Sequence, residues 1–122
     1  LPPVRHPSAV VSPHARLGPG TVVFAGCVVQ PGAEVGAGVI LNTACVVEHD
    51  CALEDGVHVS PGAVLAGGVR VGARSWVGAG ATVVQGIAIG PDATVGAGAV
   101  VIRDVPGGAT VVGVPARILQ RT

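Results

Sequence analysis

The sequence predicts an all-β fold, a parallel β-helix of short strands and tight turns, and three observations predict it. Twenty Gly, 26 Val and 18 Ala fill 64 of 122 positions, while Phe24 and Trp76 are the only aromatic residues. Aliphatic residues recur every six positions, and the third residue after each is usually Gly or Asp. No insertion interrupts this spacing from about residue 5 to 106. Gly and Pro together make about a quarter of the chain, a fraction that signals disorder when it lacks a period. Here the period is present.

The aliphatic phase starts at Val11 and runs in steps of six through Leu17, Val23, Val29, Val35, Leu41, Val47 and Leu53. It continues through Val59, Leu65, Val71, Val77, Val83, Ile89, Val95 and Val101, sixteen positions without exception. Each is the buried residue of one short strand. Four residues later a second phase is small or β-branched, from Ala15 and Thr21 to Val105. Between them the turn phase holds Gly at ten of sixteen sites and Asp at three (Asp50, Asp92, Asp104), residues that tolerate positive φ. One such unit cannot bury its apolar side alone, but stacked coils bury it continuously. The narrow interior takes one Val or Leu and one small residue per unit, which accounts for the missing aromatics. Cys27, Cys45 and Cys51 fall in the small inward phase. They are expected as packing residues rather than acyl-carrying nucleophiles. Three interior thiols also argue against a disulfide framework and for a reducing compartment.

Composition excludes several partners. Mean hydropathy is +0.67, yet no apolar run approaches the roughly 20 residues of a membrane span. The opening Leu1-Pro2-Pro3-Val4-Arg5 does not read as a signal peptide. Seven Arg balance seven acidic residues, and Lys is absent. A neutral chain nearly free of aromatics lacks the positive field and the stacking platform of a nucleic-acid binder. No nucleic acid and no membrane are expected as partners, and a cytoplasmic location is expected.

The repeat resembles the left-handed parallel β-helix of the hexapeptide acyltransferases, in which three hexapeptides make one triangular coil. The left hand is implied by that resemblance, since right-handed crossovers are the general rule. About five and a half coils would span residues 5–106, followed by a C-terminal extension over 107–122. Residues 18 apart then lie above one another, about 4.8 Å up the axis. Most corners read Gly-Ala-Gly or Pro-Gly, but Val47-Glu48-His49-Asp50-Cys51 gathers three ionisable residues. On this ruler Gly67, Gln85 and Arg103 follow above His49, and Gly68, Gly86 and Asp104 above Asp50. A second column holds Asn42, Ser60, Gly78 and Gly96. His58, two residues before Ser60, is expected close to Asn42, with Trp76 one coil above it. His58 is nine residues from His49, half a circumference away, so the two can share a site only between neighbouring protomers. A cyclic oligomer is therefore expected, and the resemblance implies a homotrimer. Trp76 is expected to pack in the subunit interface, and His6 and His14 to lie on the surface.

Six motifs narrow the family: Asn42-Thr43-Ala44, Glu48-His49-Asp50-Cys51, His58-Val59-Ser60-Pro61-Gly62-Ala63, Leu65-Ala66-Gly67-Gly68-Val69, Val77-Gly78-Ala79-Gly80-Ala81 and Gly113-Val114-Pro115-Ala116-Arg117. Together they resemble the sialic acid O-acetyltransferases and the N-acetyltransferases of nucleotide-linked 4-amino sugars of the bacillosamine and perosamine type. The resemblance covers essentially the whole chain. It implies direct transfer of acetyl from acetyl-CoA to a sugar amine or hydroxyl, without a metal. His49 would be the general base, a task that suits an imidazole near neutral pKa. Asp50 would orient it, Gly67 would hold the thioester oxygen through its N–H, and Asn42 and His58 would position substrate. The column map independently sets Gly67 above His49, where an oxyanion donor is needed.

Gly78-Ala79-Gly80 and Gly96-Ala97-Gly98 stack one coil apart. By analogy the pantetheine arm of coenzyme A lies along this strip, although turn chemistry alone accounts for the glycines. Arg117 and then Arg103 are candidates for its phosphates, since a guanidinium suits phosphate geometry. Either could instead be a solvated Arg. Two rival functions exist on this fold. A gamma-carbonic-anhydrase-like zinc enzyme needs three His ligands, and no third His is well placed beside His49 and His58. A non-catalytic scaffold has no reason to gather Glu48, His49 and Asp50 at one corner. Family members usually carry an N-terminal Rossmann-like subdomain that holds the nucleotide-sugar. These 122 residues are expected to represent a truncated or natural short form without that half.

Overall fold

Each six-residue period becomes one strand and one corner. The computed structural model describes residues 1–119, built from strands and turns. The last three residues of the expected C-terminal extension lie outside the described residues. Nearly every strand is two residues long, the first side chain outward and the second, from the aliphatic phase, inward. Three units close a triangular coil. Strands three units apart pair in parallel, so Ile40, His58, Trp76 and Thr94 stack on the first face. Val28, Val46, Val64 and Thr82 stack on the second. Glu34, Ala52, Arg70 and Ala88 stack on the third. The three sheets contain eight, six and five strands. No helix among the described residues is long and apolar enough to cross a membrane.

The interior is one continuous column of Val, Leu, Ala and Cys. Leu41 and Leu65 are wholly buried, a state worth about 1.5–3 kcal/mol for such a side chain. Thr21 and Ser75 are buried polar exceptions, and both are satisfied. Thr21 Oγ1 donates to the Gly36 carbonyl at 2.7 Å and accepts the Val39 N–H at 3.1 Å. Ser75 Oγ does the same with Gly90 and Ala93, at 2.7 and 3.0 Å. The three cysteines are buried as the repeat phase predicts. Cys27 Sγ lies 3.6 Å from Cys45 Sγ and donates to the Asn42 carbonyl at 2.9 Å. Burial pushes the Cys45 thiol well above the ordinary cysteine range and raises that of Cys51, which favours the protonated, unreactive form of both.

At most corners the third turn residue takes a positive φ, which explains the Gly phase together with Asp50 and Asp92, but Ser8, His14 and Asp104 do not. Ala44, Asp50, Arg74 and Asp92 take it without being glycine, at 58, 60, 62 and 56°. The second turn residue makes no ladder bond through its N–H. Proline therefore fits there, at Pro7, Pro13, Pro19, Pro31, Pro61 and Pro91. Where the residue is not proline, its N–H is left outside the ladder, and at Ala37 and Thr43 it donates to Asp55 Oδ1 and Asn42 Oδ1.

The column ruler slips once. Val105 follows Val101 by four residues where the period has six, and it bridges to Ile89. Thr110–Val112 then pairs with Thr94 and Val95, sixteen residues back. Arg103 and Asp104 are consequently not directly above Gln85 and Gly86, as even spacing predicts. Asp104 Oδ1 instead accepts the Ala88 N–H at 2.9 Å, in place of the ladder carbonyl that the shortened corner removes. Arg117–Ile118 folds back antiparallel on Thr110–Val112.

Candidate active site

His49 occupies the corner between the second and third faces, after Val46–Val47 and before Ala52–Leu53. Asp50 holds a φ of 60°, a conformation Asp adopts more readily than most residues. From there its carboxylate lies against Gly32 on the coil below. Its Oδ2 stands 3.2 Å from His49 Nδ1. An ionised carboxylate only accepts, so in the neutral ring Nδ1 carries the proton and Nε2 the lone pair.

The imidazole reaches the other way, over Gly67 on the coil above. A Cβ on Gly67 would stand 2.5 Å from His49 Nε2 and 2.6 Å from Cε1. Glycine at 67 is thus a steric requirement of the ring's position. Gly67 accepts the Gly86 N–H at 3.0 Å, while its own N–H finds no acceptor among the described residues. A basic nitrogen and an outward N–H donor stand side by side. Such a pair can take a proton from a nucleophile and steady a developing oxyanion. In the single chain the His49 and Asp50 side chains are 59% and 72% exposed.

Asn42, His58 and Trp76 form a second cluster on the first face. Asn42 Nδ2 is 3.4 Å from His58 Nε2, close as the column map predicts. The His58 and Trp76 rings stack with centroids 4.0 Å apart and planes tilted by 38°. Burial lowers the His58 pKa below the ordinary 6.5. Trp76 is about half exposed in the chain. Thr43, part of the Asn42-Thr43-Ala44 motif but given no role by the sequence, places its N–H and Oγ1 2.8 and 3.3 Å from Asn42 Oδ1. In a triangular coil the first face lies opposite the corner between the second and third. The His49 and Asn42–His58 clusters therefore do not converge within one chain.

The glycine strip is partly covered. A Cβ on Gly78 would lie 2.6 Å from Ala97 N, so stacking alone demands glycine there. Gly96 lies under Val112, whose Cγ1 would be 2.9 Å from such a Cβ. Ala79 and Ala97 remain exposed, and their N–H groups find no acceptor among the described residues. Arg103 and Arg117 line one cleft of about 510 Å³ with Ile102, Pro115, Ala116 and Ile118. The shortened corner at Val105 and the return strand bring the two guanidinium groups to the same end of the prism. Even spacing in the sequence did not announce this. No three His, Cys, Asp or Glu side chains converge on a metal-sized site among the described residues.

Comparison with known proteins supplies the context for this geometry. Residues 68–103 match the family model described as the hexapeptide repeat of succinyl-transferase. The acetyltransferase domain of PglB from Neisseria gonorrhoeae is 50% identical, with a TM-score of 0.95 over 97% of this chain and 58% of that one. The chain is a left-handed parallel β-helix built on hexapeptide repeats. This hexapeptide-repeat chain is also 48% identical to a variant of GDP-perosamine N-acetyltransferase from Caulobacter crescentus in complex with CoA and GDP-perosamine. There the TM-score is 0.95, over 97% of this chain and 57% of that one. The PglB domain in complex with acetyl coenzyme A matches with a TM-score of 0.97 at 50% identity, over 98% of this chain and 58% of that one. The hexapeptide-repeat chain thus spans less than two thirds of the chains it matches. A search of curated proteins found no match.

Proposed function

We propose that this β-helix is the acetyl-transfer part of an acetyl-CoA-dependent acetyltransferase acting on an amine or hydroxyl of a sugar, nucleotide-linked or of the sialic acid type. The observation that carries the reading is one corner, where His49, held by Asp50, lies over Gly67, whose N–H has no acceptor among the described residues. His49 Nε2 takes the proton of the acceptor as its nitrogen or oxygen attacks the thioester carbonyl. The Gly67 N–H donates to the carbonyl oxygen as negative charge grows there. Collapse of the adduct expels the coenzyme A thiolate, which recovers the proton from the imidazolium. Asp50 stabilises that imidazolium in the interval. No cysteine takes part, consistent with three buried, free thiols.

The complexes of the two relatives with CoA, acetyl-CoA and GDP-perosamine support the choice of donor and acceptor class. The pantetheine arm runs past the outward N–H groups of Ala79 and Ala97, beside Gly78 and Gly96. Arg103 and Arg117 receive its phosphates, an assignment supported by their shared cleft. Asn42 and His58 act from a neighbouring protomer. Two faces support a homotrimer. The second presents Val28, Val46 and Val64 outward, and the first presents Val22, Ile40 and Trp76. The third presents Arg16, Glu34 and Arg70. A closed ring gives each protomer two neighbours, and two apolar faces match that need. The free buried thiols favour the cytoplasm.

The test is a panel of 4-amino nucleotide-sugars and sialic acids scored by free thiol release from acetyl-CoA, with light scattering of the same sample. Acetylation of an acceptor by a trimer is expected. If neither this chain nor a longer form containing it acetylates any of them, the activity is wrong and only the fold assignment stands.

A further inference from the structure

The Asn42 corner contains a hydrogen-bond chain with a direction. Its first link is the Thr43 backbone N–H, which can only donate, and it points at Asn42 Oδ1 at 2.8 Å. That contact fixes which end of the Asn42 amide is oxygen. The other end, Nδ2, is therefore the donor that meets His58 Nε2 at 3.4 Å. An imidazole nitrogen that accepts cannot carry a proton, so the proton of the neutral ring sits on Nδ1. Nδ1–H finds no acceptor among the described residues. Trp76 stacks on the ring from the coil above, and Ile40 is its register partner on the coil below. No charged side chain lies in this set.

We infer that the Thr43 backbone N–H is a positioning group that, through Asn42, holds His58 in its Nδ1–H form, making His58 a neutral hydrogen-bond donor to an oxygen of the bound substrates. The inference rests on the proposed acetyl transfer for the identity of those substrates, but the protonation pattern stands without it. The recipient is a lone pair on oxygen, either the thioester carbonyl or a hydroxyl of the acceptor sugar. His58 does not serve as a second base, because its only basic nitrogen is occupied by Asn42.

The fold offers a clean way to remove the first link. Thr43 is the second turn residue of its corner, the position where proline stands at six other corners, including Pro61 directly above it. Thr43→Pro thus deletes the N–H at a site whose backbone accepts proline, while Thr43→Ala deletes only the hydroxyl 3.3 Å from Asn42. Nitrogen-15 NMR of labelled histidines, recorded on the whole chain above the His58 pKa, reads the tautomer without any substrate. A His58→Gln sample assigns the signal. The expected result is a protonated Nδ1 and an unprotonated Nε2 in the parent and in Thr43→Ala, with a shift toward Nε2–H in Thr43→Pro. Asn42→Asp, which replaces the donating amide nitrogen by an accepting oxygen, should drive His58 to Nε2–H outright. An Nε2–H ring in the parent chain overturns the inference, as does a folded Thr43→Pro whose tautomer is unchanged.

In turnover, Thr43→Pro should lose about tenfold in kcat/KM, the loss of one hydrogen bond to a substrate oxygen, and Thr43→Ala less than about twofold. A rise confined to the KM of the sugar assigns the sugar hydroxyl as recipient. A fall in kcat assigns the thioester carbonyl. A chain that lacks acetyl transfer yet shows the predicted tautomers would overturn the proposed activity and leave the positioning chain standing.

Discussion

His49 and His58 are the same residue on the same scaffold, and they present opposite ends of the ring. His49 stands at an exposed corner, gives Nδ1–H to Asp50 and leaves a lone pair on Nε2 beside Gly67. His58 lies on a face between Ile40 and Trp76, receives Asn42 at Nε2 and leaves Nδ1–H outward. The difference comes from the neighbours. A carboxylate can only accept, and an amide nitrogen can only donate. In the proposed reaction one histidine becomes a base and the other a donor, although the neutral form of each carries its proton on Nδ1. Their placement on opposite sides of the prism means that, in the proposed trimer, one protomer would supply each to a different site.

The comparison breaks most severely at His49. Replacing His49 by Ala should lower kcat about 10²–10⁴-fold, the range for removing a general base. Coenzyme A affinity, measured by calorimetry, should stay within about twofold. Retained turnover would exclude His49 as the base and leave the two histidines functionally alike.

A second substitution separates the ring's position from its chemistry. Gly67→Ala places a Cβ against His49 Nε2 and displaces the imidazole, which should lower kcat about 10²-fold, as ångström-scale misplacement of a catalytic group does. Stability should hardly change, because the clash is with an exposed side chain that can swing away. Its neighbour gives the reverse outcome. A Cβ on Gly68 meets open space, but φ is +70° there, so Gly68→Ala should cost about 1–2 kcal/mol of stability. Urea unfolding and thiol release on the two variants read both quantities. Equal loss of activity in the two would show that backbone strain, rather than the ring's seat, governs the site.

The contrast between Gly67 and Gly68 also shows what the sequence could convey. A strict period of six, with three units to a coil, is enough to place Gly67 over His49 and Asn42 beside His58, because stacked coils turn sequence distance into height. The same ruler fails beyond Val101. Two aliphatic residues, Val101 and Val105, suit either the strand phase or the small phase, and nothing in their side chains distinguishes the four-residue step from the six. Asp104 was the available signal, since its carboxylate serves the Ala88 N–H that the short corner leaves unpaired, yet Asp is equally at home in an ordinary corner. The return strand at Arg117 lies outside the repeat, so its delivery of Val112 over Gly96 and of Arg117 beside Arg103 had no period to reveal it. The Thr43 link was silent for another reason. It is a backbone donor, and any residue except proline would carry it.

A milder change sharpens the role of Asp50. Asparagine also tolerates the left-handed φ of 60° at this corner and can still accept from His49 Nδ1–H. Asp50→Asn therefore keeps the tautomer and removes only the charge that stabilises the imidazolium. Charge-assisted hydrogen bonds exceed neutral ones by about 1 kcal/mol, so kcat should fall roughly fivefold to tenfold with the fold unchanged. A loss as large as that of His49→Ala would mean that Asp50 itself handles the proton.

The smallest expected effect concerns His58 and is read from stability alone. Burial lowers its folded pKa below the ordinary 6.5, so the neutral ring is favoured by folding. Above 6.5 both folded and unfolded chains carry a neutral His58 and the full stability is present. As pH falls through 6.5, the unfolded chain takes up a proton before the folded one does. Stability then declines with falling pH until the folded ring also protonates, and it levels off below that point. His58→Gln abolishes this contribution while keeping a side chain that can meet Asn42 Nδ2. Melting temperatures across the window just below pH 6.5 should therefore fall less steeply in the variant than in the parent. Identical slopes would mean that the ring between Ile40 and Trp76 gains nothing from being neutral, and the contrast with the open, carboxylate-paired His49 would then rest on hydrogen-bond direction alone.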